Sequence, residues 1–114
     1  METMTVQEYL RRTFYLDRRR NNTDLITRQP ALCADGFDMS IQASAYHYCT
    51  PRETKDIVYE EVEVGFPSVG DYRLEPYETD AGSVYGRVPI SIVQEIADSH
   101  GGIIGSVVPR VRIH

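Results

Sequence analysis

The sequence has no tryptophan, one lysine (Lys55) and only two cysteines, Cys33 and Cys49, in 114 residues. Two cysteines are too few for a disulfide framework, and these lie too far apart for a paired CxxC metal site. Zinc sites are usually built from two close pairs of ligands. Among His47, Cys49, Cys33 and His100 only His47 and Cys49 are near neighbours, so neither metal nor cofactor is expected. No window approaches the roughly 18 apolar residues of a membrane helix. The first residues, METMTVQEYLRRTF, lack the apolar centre of a secretory signal. The expectation is a reduced, cytoplasmic protein with one domain over residues 1–114 and one hydrophobic core.

Phosphate-loop motifs are missing too. Neither GxxxxGKS/T nor GxGxxG occurs, and Gly101-Gly102 follows a helical pattern instead of opening one. A phosphatase-type cysteine loop fails as well, because Arg52 comes only three residues after Cys49 and Pro51 removes an amide. Hydrolysis by a P-loop mechanism is excluded.

Charge is present but uneven. Residues 1–30 carry six arginines against four acidic residues, whereas the remainder carries six basic and thirteen acidic ones, a net −7. An acidic body with a short basic arm argues against general nucleic-acid binding, which calls for a broad basic face. Eleven of the twelve basic residues are arginine, whose planar fork suits phosphates and carboxylates, although a GC-rich coding sequence would give the same bias.

Along the chain, Thr5-Val6-Gln7-Glu8 reads as a capping box opening a helix over about residues 6–14. Asp17 to Thr23 reads as an exposed loop, and Leu25 to Ala34 as an extended segment broken by Pro30. Asp35-Gly36 signals a tight turn. Phe37, Met39, Ile41 and Ala43 then alternate with polar residues as a strand buried on one face, running on into Tyr46-His47-Tyr48-Cys49. In a second alternating run, Val58, Val62, Val64 and Phe66 share one face, and Ile57, Tyr59, Glu61 and Glu63 the other. Glu60 breaks the apolar set, and the two runs are expected to pair. Residues 71–82 read as an irregular acidic loop and 83–88 as a strand. Pro89-Ile90-Ser91 opens a second helix, stopped by Gly101, and Ile103 to Ile113 forms one or two strands divided by Pro109. The class is α+β: an antiparallel sheet of four to six strands with two short helices on one face.

The densest chemical cluster is Tyr46-His47-Tyr48-Cys49-Thr50-Pro51-Arg52. On a strand His47 and Cys49 share a face, so with Arg52 nearby they are the candidates for a thiol nucleophile and its base. The competing reading has Cys49 packed as a small apolar residue and His47 at a surface. Glu60, Glu61, Glu63, Asp71, Glu75, Glu78 and Asp80 read first as a solvated acidic face, next as a phosphate-mimicking one directed at a nucleic-acid-binding protein, and last as paired acid/base catalysts. The eight tyrosines, with arginine, suit a recognition surface or stacking on bases.

The order Asp35-Gly36-Phe37, Met39 to Ala43, Tyr48 to Arg52, Val62 to Ser68, Val84 to Pro89 and His100-Gly101-Gly102 resembles a family of small uncharacterised proteins encoded by bacteriophages and prophages. The resemblance covers about residues 35–102. It implies a setting in a bacterial host cell and no mechanism. Small acidic phage proteins often act by binding, blocking CRISPR effectors or restriction enzymes, or sequestering cyclic nucleotide signals. The leading expectation is therefore a non-catalytic counter-defence or host-takeover protein. Blockade of a host protein would use Glu60, Glu61, Glu63, Glu75, Glu78 and Asp80. Sequestration of a small anionic, nucleotide-like ligand would use Tyr46, His47, Tyr48 and Arg52, helped by Arg28 or Arg87, and a homo-oligomer would favour it. The alternatives are a small hydrolase using Cys49 or His47, and a structural virion or assembly protein.

Overall fold

A computed structural model describes residues 2–21 and 26–107. The first helix, α1 (Val6–Asn21), begins at the capping box: the Glu8 amide donates to Thr5 Oγ1 at 3.1 Å, and the Thr5 amide to Glu8 Oε1 at 3.4 Å. Nothing in Asp17-Arg-Arg-Arg-Asn21 breaks a helix. The helix therefore continues through residues expected to form a loop. The rest of that expected loop, residues 22 and 23, lies outside the described residues.

Five strands follow: β1 (Ala31–Cys33), β2 (Asp38–Gln42), β3 (Glu61–Gly65), β4 (Val84–Pro89) and β5 (Ile103–Ser106). They form one antiparallel sheet in the order β4-β3-β2-β1-β5. The second helix, α2 (Ile90–Ser99), starts directly from β4. Gly101 and Gly102 end it with positive φ, where the Gly102 amide reaches back to the Ala97 carbonyl at 2.9 Å. A Cβ on Gly101 would sit 2.9 Å from that of Ala34, so glycine is needed there for space as well as for conformation. Beyond β5, residues 108–114, including the proposed second part of the last strand, lie outside the described residues.

Alternation puts Met39 and Ile41, Val62 and Val64, with Ala31, Cys33, Val88 and Ile103, on one fully buried side of the sheet. Val6, Tyr9 and Leu10 of α1 and Val93, Ile96 and Ala97 of α2 close over it. The Val6 amide donates to Gln94 Oε1 at 2.9 Å, joining the two helices. The α+β architecture expected from the sequence is the one observed, except that α1 is four turns long instead of short.

Two stretches of the expected strands are loop. β2 stops at Gln42, so Tyr46 to Cys49 do not continue it. Ser44 is the reason: its buried hydroxyl accepts the Tyr46 amide at 3.1 Å and its carbonyl accepts the His47 amide at 3.2 Å, which turns the chain. β3 likewise spans only Glu61–Gly65, with Val58 before it and Phe66 after it exposed and Tyr59 buried, the reverse of the alternation expected there. β2 and β3 do pair, joined by the long segment 43–60.

Candidate functional site

A register shift organises the outer face of the sheet. Val62 faces Val88 and Val64 faces Tyr85, so Gly86 and Arg87 together oppose the single residue Glu63. Such a bulge frees a backbone group and re-aims a side chain. Arg87 takes φ +50°, a left-handed conformation costing about 1–2 kcal/mol for a residue with a Cβ.

Tyr48 docks on this bulge through its own backbone. Its amide donates to Glu63 Oε2 at 2.9 Å, and its carbonyl accepts the Arg87 amide at 2.9 Å. The approach is close: a Cβ on Gly86 would lie 3.2 Å from Tyr48 Cβ. Thr50 adds a second tie, its hydroxyl donating to Glu61 Oε1 at 2.6 Å. Glu61 and Glu63, expected on an acidic docking face, thus hold the 44–50 loop onto the sheet.

The wall opposite comes from the segment after β3. A short 3₁₀ helix, Tyr72–Tyr77, is capped by Asp71, which accepts from the Arg73 amide and guanidinium at 2.8–2.9 Å, and is anchored by the buried Leu74. The next residues return along β4: the Thr79 amide and hydroxyl both donate to the Val84 carbonyl, at 3.0 and 2.8 Å. Between loop, bulge and this segment lies an open cleft of about 860 Å³, lined by Tyr48, Tyr77, Glu78, Asp80, Gly86 and Arg87 among others.

The cleft unites residues from both proposed sets. Tyr48, 50% exposed, and the exposed Arg87 come from the ligand set, Glu78 and Asp80 from the acidic one. Arg52 stands beside them, its guanidinium carbon 5.3 Å from the centre of the Tyr48 ring and its Nε donating to the Ala45 carbonyl at 3.2 Å. Tyr46 is 64% exposed on the same loop but outside the lining, and Glu60 and Glu75 are exposed and likewise outside it.

Arg28 is elsewhere. It is 3% exposed, and its guanidinium donates to Thr13 Oγ1 (2.7 Å), the Ala43 carbonyl (2.8 Å) and the Leu10 carbonyl (3.1 Å). Its backbone amide and carbonyl pair with the side chain of Gln42, at 2.9 and 2.8 Å. Arg28 therefore bolts α1 to the end of β2 and presents nothing to a ligand in the cleft.

His47 and Cys49 do not assemble as nucleophile and base. His47 Nδ1 lies 2.7 Å from Ser44 Oγ, and Cys49 Sγ donates to the Ser44 carbonyl at 3.2 Å. No hydrogen bond joins the two side chains among the described residues. Burial pushes the Cys49 thiol above its ordinary value and the His47 imidazole below its own, which keeps both neutral. Among the described residues no three His, Cys, Asp or Glu side chains gather to hold a metal ion, and no helix is long and apolar enough to cross a membrane.

Sequence reasoning missed Tyr77, Thr79 and Gly86 as cleft residues. For Gly86 a signal existed: an isolated glycine in a strand marks a bulge or the close approach of another backbone. No protein-family model, curated protein or solved structure matches this chain.

Proposed function

We propose that this is a non-catalytic binding protein of phage type, working in the host cytoplasm in counter-defence or host takeover by sequestering a small anionic, nucleotide-like ligand. The observation that supports it most is the meeting of Tyr48 and Arg87, distant in sequence, at one cleft, with Arg52 against the Tyr48 ring beside it. Its volume lies within the roughly 300–1,000 Å³ of small-molecule sites. A tyrosine face stacks on a base for about 1–3 kcal/mol, and an arginine fork takes a phosphate through paired hydrogen bonds. Strain at Arg87 fits a functional position, because left-handed non-glycine residues persist only where the surroundings enforce them. A hydrolase fits less well, since the Cys49 thiol is buried, neutral and already donating to a carbonyl.

Blockade of a basic host protein is the second reading, favoured by the net −7 of residues 31–114. It is weakened by the engagement of Glu61 and Glu63 within the fold. Native mass spectrometry of the purified chain with a pool of mononucleotides and cyclic nucleotides tests the first reading and also reads the oligomeric state. A ligand of defined mass should be retained, and Arg87→Gln and Tyr48→Ala should each lower retention at least about tenfold. An empty wild-type spectrum would overturn sequestration and leave blockade as the reading to pursue.

A further inference from the structure

The charges in the cleft constrain what can fill it. Arg87, Glu78 and Asp80 all line it, and none of their side chains forms an ion pair or hydrogen bond with another described residue. Their backbones are nonetheless fixed. Glu78 bridges to Tyr85, its amide donates to the Glu75 carbonyl at 3.2 Å, and Thr79 between the two carboxylates is tied to Val84. Two carboxylates without an ion pair, lining the same cleft as one guanidinium, repel a ligand that offers phosphate alone. They suit one that also presents N–H donors at its other end, with an aromatic body for Tyr48 and Tyr77 between.

We infer that the cleft recognises a guanine mononucleotide, with the N1–H and 2-amino group of the base donating to Glu78 and Asp80 and the phosphate meeting Arg87. The inference rests on the sequestration reading above. Guanine alone among the common bases places two N–H donors side by side on its pairing edge. Adenine and cytosine put a ring-nitrogen lone pair next to their amino group, and uracil flanks its single N–H with two carbonyls. Each of those would point a lone pair at a carboxylate. A single-stranded nucleic acid could present the same edge, but its phosphate chain would run along a body of net charge −7 over residues 31–114.

Titration calorimetry of the full chain with GMP, IMP, AMP, UMP and inorganic phosphate tests the assignment. GMP should bind tightest. IMP, which lacks only the 2-amino group, should bind at least about tenfold more weakly, because one carboxylate is left without its donor. In Glu78→Ala/Asp80→Ala, which removes both acceptors, the difference between GMP and IMP should fall below about twofold. Both substitutions are at exposed positions, and circular dichroism checks that the fold is kept. Equal affinity for GMP and UMP, both weakened by Arg87→Gln, would overturn the guanine assignment and leave sequestration standing. Absence of binding by all four nucleotides would overturn the guanine assignment, and an empty spectrum against the cyclic-nucleotide pool as well would overturn sequestration.

Discussion

The two faces of the sheet are held by different physics. On the inner face Met39, Ile41, Val62, Val64 and Val88 are fully buried beneath α1 and α2, and their contribution is area removed from water. On the outer face, around the bulge, Glu61, Glu63 and Arg87 hold a loop by a few directed hydrogen bonds to Thr50 and Tyr48. Apolar burial is non-directional and tolerates many sequences, whereas each polar tie needs one atom in one place. The inner face should therefore carry the stability and the outer face the recognition. The sharpest test is Ile41→Ala, which opens a cavity in the core and should cost about 3 kcal/mol of unfolding free energy in a urea titration. A loss below about 1 kcal/mol would mean that the helices do not seal this face as tightly as the burial indicates.

Glu63→Ala is the matching change on the other side. It removes the acceptor of the Tyr48 amide, an exposed hydrogen bond, so stability should fall by only about 1 kcal/mol. Nucleotide retention should fall severalfold nonetheless, because Tyr48 loses the tie that sets it over Gly86. A stability loss as large as that of Ile41→Ala would show that the loop belongs to the core, and the division between the faces would fail.

The same division explains what could be read from the sequence. Met39 and Ile41 announce their strand by alternation, Thr5 and Glu8 announce a helix start, and Gly101 a helix stop, because each signal lies within a few residues of its effect. Apart from Gly86, the cleft had no such signal. Tyr48, Tyr77 and Arg87 come from three segments, and what joins them is the pairing of β3 with β4 and a bulge whose position depends on register. Tyr46 to Cys49 were open to misreading for a related reason. Their composition suits a strand, but the Ser44 side chain competes successfully for the Tyr46 amide and bends the chain away from the ladder. Arg28 looked available because arginine seldom lies buried, and only the fold reveals the carbonyls of Leu10 and Ala43 aimed at its guanidinium.

The smallest effect concerns acid. Asp71, which caps the 3₁₀ helix at the cleft, has its carboxyl held below the usual aspartate value, chiefly by the hydrogen bond from the Arg73 guanidinium and further by the Arg73 amide. A carboxyl depressed in the folded state adds stability above its unfolded value of about 3.9, and that contribution is lost as pH falls through the lower folded value. Near neutrality the cap should be fully formed. Below about pH 4 the 3₁₀ segment should loosen while the inner face stays packed, because no carboxylate lies among the side chains buried there. NMR provides the readout: the Arg73 amide, which donates to Asp71 Oδ1 at 2.9 Å, should shift with acid well before the amides of Val62 and Val64, and Asp71→Asn should abolish that early transition. If all three amides instead moved together at one midpoint, the cleft wall and the core would be one cooperative unit, and the outer face could not loosen on its own to admit or release a ligand.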